Sequence, residues 1–345
     1  MSIRRIAFII IIVLALTVIG CTKDDARDVE DEILRTATGE AEGQEDEVAS
    51  PISGIYASRD RVERRPMAIM LDNHPKARWQ AGLSQAEVVY EYLVEGGYTR
   101  YMAIFLINDP ESIGPIRSAR PYFITSALEY DSIYVRVGGS PQAKDDMRVV
   151  GMDDIDGMVV PSSVLWKTNE TGKVSPHNTY TSMEVLRAYQ AEKGYSDRGD
   201  FSGFKFNEED EDLDGMVAKN VLIDYNRDNT SRYIYDEDER VYSYSKDGEP
   251  YRDELDDAPV KVKNIIIQEA DIRMVDDDGR LFIDLIGEGK GKYITNGKSM
   301  DLSWIKKSRS NRTHYYDEDG REIALNPGIT WIQVVKPGTN IDIGD

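Results

Sequence analysis

"MAIMLDNHPKARWQAGLSQAEVVYEYLVEGGYTRYMAIF", Met67 to Phe105, decides the fold. Met67–Asn73 is an apolar run that ends in polar residues and predicts a strand. Ser84–Glu95, "SQAEVVYEYLVE", predicts a helix, because Ser84 and Glu87 are spaced as a capping box and Gly96-Gly97 supplies a stop. Arg100–Asn108, "RYMAIFLIN", predicts the next strand. A helix between two strands lets them run parallel, and the following residues repeat the alternation. Pro121 suits a first helical position, with Arg120 before it held extended. Ser132–Gly139, "SIYVRVGG", is a third strand. Ser140 and Pro141 start another helix as N-cap and first residue. Val159–Lys167 is expected as an added strand, and Thr181 with Glu184 opens a helix to about Lys193. The fold class expected is α+β with two domains. Residues 51–208 form an α/β domain on a mostly parallel sheet, and residues 209–345 form an antiparallel β-rich barrel or sandwich.

The second half earns that description from Asn220 onward, where short runs rich in Val, Ile and Tyr are separated by Asp-Gly turns. These are "SKDG" (Ser245–Gly248), "DDDG" (Asp276–Gly279) and "DEDG" (Asp317–Gly320). "NPGITWIQVV", Asn326–Val335, is expected as the last strand.

The amino terminus reads as an address. Arg4 and Arg5 precede an apolar run, Ile6–Ile19, that is too short to span a bilayer comfortably. It ends in "VIGC", so residues 1–20 are expected to be a lipoprotein signal peptide and Cys21, the single cysteine, the lipidated residue. An uncleaved anchor is the alternative. Residues 21–50, acidic and without aromatics, would be a disordered tether. The expected location is the extracytoplasmic face of the cell membrane. With 63 acidic against 42 basic residues and a net charge of −21, the chain repels nucleic acid, which is excluded as a partner.

In a parallel sheet, Asp72, Asn73 and His74, then Arg117, Ser118 and Arg120, then Gly138, Gly139 and Ser140 would share the carboxyl edge, where α/β proteins place ligand crevices, and Asn178 is a further candidate ligand group. Helix starts there favour an anion, and arginine forks grip phosphate or carboxylate. Ion pairing of the same arginines with Glu91, Glu95 or Glu129 is the competing reading. Arg100, at the start of its strand, is expected on the opposite edge. His177 and His74 are candidate general bases, and the alternative for each is a loop histidine bonded to backbone. His314 is expected to be structural. No two histidines have metal-ligand spacing, and no cofactor motif is present. "DEDLDG", Asp210–Gly215, opens like a calcium loop, but Val221 stands where its bidentate acid would be, and a solvated linker is the default.

The stretch quoted first, with "IGPIRSARPYF", "YVRVGGSPQA", "PHNTYTS" and "NPGITWIQVV", resembles the YerB-like lipoproteins of Gram-positive bacteria, a family defined by a domain of unknown function. The resemblance covers nearly all of the folded chain. It implies a lipid-anchored protein of two domains and no assigned activity. It marks His74, Arg117, Ser118, Arg120, His177 and Asn178 as parts of family motifs. "EDERVYSYSKDGEPY", Glu237–Tyr251, departs from the pattern and receives no role. The leading expectation is binding of an anionic cell-envelope ligand. The alternatives are a hydrolase or transferase acting on a wall precursor or glycopolymer, and a scaffold for wall-synthesis or sporulation proteins.

Overall fold

The computed structural model describes residues 46–345. The signal peptide, Cys21 and most of the acidic stretch lie outside the described residues. Glu47–Asp345 clusters as one compact unit.

The principal elements, in chain order, begin with strands β1 (Met67–Asp72), β2 (Val88–Leu93) and β3 (Thr99–Phe105). Helix α1 (Pro121–Ala127), strand β4 (Ile133–Arg136), helix α2 (Pro141–Val150), strand β5 (Asp154–Asp156) and helix α3 (Met183–Lys193) follow. The second half is nearly all strand: β6 (Asn220–Asn226), β7 (Asn229–Asp236), β8 (Val241–Lys246), β9 (Asn264–Glu269), β10 (Ile272–Met274), β11 (Leu281–Ile283), β12 (Gly287–Thr295), β13 (Lys298–Lys306), β14 (Thr330–Val335) and β15 (Asn340–Gly344).

The expected helix over Ser84–Glu95 is strand β2. Its Val, Tyr and Leu side chains favour a pleated surface, and both faces are buried, so the run carries no helical or alternating signature. Glu87 is no capping residue. Its fully buried carboxylate accepts the Ser50 and Ser53 hydroxyls and the Leu106 and Ile107 N–H groups. Gly96 and Gly97, at φ 73° and 78°, turn a hairpin rather than end a helix. Strand β3 therefore runs antiparallel to both β2 and β1.

The sheet is mixed, not mostly parallel. β1, β4 and β5 pair in parallel, as do β9, β14 and β2. β14 is not the last strand, and it lies at the centre of an eleven-stranded sheet between β9 and β2. Both halves of the chain thus build one sheet. A second, antiparallel sheet of β8, β7, β6 and β15 packs its Val221, Ile223, Tyr233 and Tyr244 against Trp331, Ile265 and Ile267 of the large one. Neither sheet closes into a barrel. Of Val159–Lys167, only Trp166–Lys167 is strand. The α1 and α2 starts are as expected, with Ser140 Oγ accepting the Ala143 N–H. The α3 cap is Ser182, because Thr181 Oγ1 is spent on the Val164 carbonyl. All three Asp-Gly sites are turns, with Gly248, Gly279 and Gly320 at positive φ.

His314 is tied to Glu322 at 2.6 Å, and Glu322 also pairs with Lys205 at 2.9 Å and with Arg312. Burial pushes the Glu322 carboxyl up, but the hydrogen bonds from Lys205 and His314 and the charge of Arg312 outweigh it and hold it at about 2, against an ordinary 4.5. The folded state therefore binds the Glu322 proton less well than the unfolded chain. The resulting stability is present above pH 4.5 and is lost as pH falls towards 2. Glu322→Gln should flatten that acid limb by about 1–3 kcal/mol in urea titrations at stepped pH.

Candidate functional site

Strands β1, β2, β4 and β5 deliver their carboxyl ends to one edge, and the hairpin brings the start of β3 there too. Asp72 and Arg100 are register partners, so Arg100 is at the crevice edge and not opposite it. Beyond Ile69 and Val135, β1 and β4 no longer pair with each other. The extended segment 115–119 fills the gap: Arg117 N–H donates to Met70 O, Asp72 N–H to Pro115 O, and Val137 N–H to Arg117 O. Ile116 N–H donates to Thr179 O at 2.7 Å, which brings the short strand Thr179–Tyr180, paired with Trp166–Lys167, and His177 before it alongside.

The result is a compact polar cluster. His177 Nδ1 lies 2.8 Å from Asp72 Oδ2, and Arg117 Nε lies 3.4 Å from the same oxygen. Asp72 is a carboxylate acceptor, so His177 donates from Nδ1 and, when neutral, presents Nε2 as an acceptor. The His74 ring stacks on His177 at 4.7 Å and tilts against Tyr98 at 4.6 Å. His74 Nδ1 accepts the Lys76 N–H, which leaves Nε2 as the protonated nitrogen of its neutral ring. Burial, then the neighbouring His177, pulls the His74 pKa below its ordinary value, so this ring is neutral at pH 7.

Three guanidinium groups converge here. Arg100 Nη1 donates to Ser118 O at 2.6 Å, while its Nε is buried without a hydrogen-bond partner. Burial, then the charge of Arg120, lowers the Arg100 pKa to about 10. Arg120 was expected to grip an anion beside Arg117, but its fork holds Glu95 at 2.5 and 2.8 Å. The ion-pair reading therefore fits Arg120. Arg117 keeps a 28 % exposed side chain whose one hydrogen bond is a 3.3 Å contact to Pro176 O.

Other expected ligand groups are already employed. Asn73 is fully buried, accepting from Arg78 and donating to Thr99. Ser140 N–H donates to Ala119 O, and its hydroxyl caps α2. Gly139 sits where an added Cβ would meet Ala119 Cβ at 3.3 Å, so its smallness serves a close crossing. Ser118 contributes its carbonyl to Arg100. Asn178 donates to Asn169, and its Oδ1 is buried without a partner. Asp210, in the calcium-like loop, binds Arg240 at 2.6 Å and Lys263 at 2.7 Å, so the protein's own cations take it. Among the described residues no group of His, Cys, Asp and Glu could hold a metal ion.

Sequence reasoning missed Asp72 as the hub, Arg100 as a neighbour and Glu95 as the specific partner of Arg120. The Gly96-Gly97 turn was the signal that would have placed Arg100 and Glu95 on this edge.

This chain belongs to a family of unknown function. The family's N-terminal domain, described as protein of unknown function (DUF3048), matches residues 52–196, and its C-terminal domain matches residues 221–332. A relative in Bacillus subtilis (strain 168) named "Putative lipoprotein YerB" is 36 % identical over 289 residues, covering 83 % of this chain and 86 % of its own. The crystal structure of Bacillus subtilis YerB protein matches with a TM-score of 0.79 at 34 % identity, covering 86 % of this chain and all of that one. Among the described residues, no helix is long and apolar enough to cross a membrane.

Proposed function

We propose that the protein is a lipoprotein anchored through Cys21 to the extracytoplasmic face of the membrane, and that its carboxyl-edge crevice binds an anionic ligand of the cell envelope. The address rests on "VIGC" and on the name of its Bacillus relative. The binding reading rests on one observation: among the described residues Arg100, Arg117 and Arg120 converge beside the two carboxylates of Asp72 and Glu95, a local positive surplus in a strongly acidic protein. Arg117 is the group that grips. A phosphate seated on it exchanges one long carbonyl contact for charge-assisted bonds. The His74 Nε2–H adds a neutral donor, and the Arg120–Glu95 pair brackets the site. The acidic surface repels anions at long range, so recognition is confined to this spot.

Inorganic phosphate titrated into the lipid-free chain, residues 22–345, should bind saturably, with amide shifts centred on Arg117 and His177. Arg117→Ala should weaken it about tenfold or more, which is about 1.5–3 kcal/mol for a charged hydrogen bond, with melting temperature nearly unchanged. No saturable binding, or a collapse of the melting temperature, overturns the reading.

The Asp72–His177 pair favours a second reading, a hydrolase or transferase on the same class of ligand. An imidazole oriented through Nδ1 with Nε2 unengaged is the arrangement of a general base. His177→Gln would then abolish turnover of a phosphoester substrate while leaving phosphate binding in place.

A further inference from the structure

We infer that a second site, which meets the Arg117 crevice at Arg120, takes the apolar chain of a membrane lipid. A cavity of about 560 Å³ lies between the starts of α1 and α2 on one side and the β10–β11 hairpin with residues 284–286 on the other. Its inner wall is apolar: Tyr122, Ile283 and Leu285 are buried there and Leu281 is partly so. None of the buried polar atoms that lack a hydrogen-bond partner belongs to a lining residue. The wall around Ile283 and Leu285 therefore strands no buried donor or acceptor, and an apolar chain lying there loses no hydrogen bond, while the polar lining residues stay with the head group. A Leu/Ile/Phe-lined cavity of ~150 Å³ holds a benzene ring, so this one has room for a chain of roughly twenty heavy atoms.

The mouth narrows the class further. Apolar side chains continue outward, with Val275, Phe282 and Ile286 at 51, 41 and 41 % exposure. The three lining guanidiniums are each matched by a carboxylate. Arg280 pairs with Asp276 at 2.9 Å and Asp278 at 2.6 Å, Arg309 with Asp146 at 3.1 Å, and Arg120 with Glu95. Arg280 faces two carboxylates and the lining Asp284 pairs with no cation among the described residues, so five carboxylates meet three guanidiniums, an excess that suits the quaternary ammonium of a zwitterionic head group and disfavours a free anion. An apolar interior under a rim with guanidiniums and an excess of carboxylates fits a single acyl chain under a phosphocholine-like head. A protein held at a membrane meets such chains at high local concentration.

Dodecylphosphocholine, kept below its micelle threshold, tests this on residues 22–345 by methyl NMR. Saturable shifts are expected at Leu281, Ile283, Leu285 and Ile286. Leu281→Trp, which fills the cavity, should weaken binding at least tenfold, and Arg117→Ala should leave it unchanged, so failure of the phosphate site and failure of this one are separable. Non-saturable shifts spread over exposed Met158 and Val159 mean surface adsorption and overturn the proposal, as does unaltered affinity in a folded Leu281→Trp. If that variant unfolds, the wild-type shift map decides alone.

Discussion

Lys246→Ala is expected to destabilise the folded region by about 3–5 kcal/mol, the cost of leaving a buried charge without its partner. Lys246 and Glu91 are both fully buried, with Nζ 2.6 Å from Oε1. Glu91 also accepts the Thr99 hydroxyl at 2.6 Å, the Ser231 hydroxyl at 2.9 Å and the Tyr244 hydroxyl at 3.2 Å. Lys246 donates to Ser231 at 2.9 Å and lies over the Tyr225 ring. Glu91 comes from β2 in the large sheet, and Lys246 and Ser231 come from the second sheet, so the network pins one sheet to the other. Burial pulls the Lys246 pKa below its ordinary value, and Glu91 pulls it back only in part. The attraction therefore compensates desolvation only while both partners stay. Removing both charges, as in Lys246→Met with Glu91→Gln, should recover at least half of the single-variant loss in urea denaturation. A single-variant loss below about 1 kcal/mol would mean that water reaches Glu91 and that the sheets are held by packing alone.

This pair also illustrates what was legible. The turns, the helix starts at Pro121 and Pro141 and the strand over Met67–Asp72 depend on local chemistry that residues carry wherever they sit, and each was readable. The β2 segment was not, because a strand buried on both faces shows no period of two, and its Ser84–Glu87 spacing imitates a helix cap. That one misreading had three consequences. It made β1 and β3 parallel in expectation, it sent Arg100 to the wrong edge, and it placed Glu91 and Glu95 on a helix. The central position of β14, about 240 residues after its neighbour β2, is a long-range pairing that no local pattern encodes. At the candidate site the residue types were readable, but not their partners. Arg117 and Arg120 look alike in sequence, and only the hairpin that carries Glu95 separates the half-free arginine from the committed one.

Glu87 yields the other large effect, and its size differs between two substitutions. Its carboxylate is fully buried, and four donors converge on it. The Ser50 and Ser53 hydroxyls, each at 2.8 Å, meet Oε1, while the Leu106 and Ile107 N–H groups, at 2.6 and 2.8 Å, meet Oε2. Glu87→Leu removes every acceptor and strands two backbone N–H groups that cannot turn away. It should cost about 3–5 kcal/mol, at roughly 1–3 kcal/mol for each buried donor left unpaired. Glu87→Gln is different, because a hydroxyl can rotate and accept whereas a backbone N–H cannot. Its Oε1 would face Leu106 and Ile107, its amide would donate to the two serines, and the cost should stay near 1 kcal/mol. Burial pushes the Glu87 carboxyl above its ordinary value despite the four donors. The folded state therefore holds this proton more tightly than the unfolded chain, and the wild type loses stability as pH rises from the ordinary Glu range of 4.5 towards the raised folded value. Glutamine, neutral throughout, should remove that slope. Urea titrations of both variants between acid and neutral pH test the assignment. Equal losses for Leu and Gln would show that the charge of Glu87, rather than its capacity to accept hydrogen bonds, holds residues 50–53 against the end of β3.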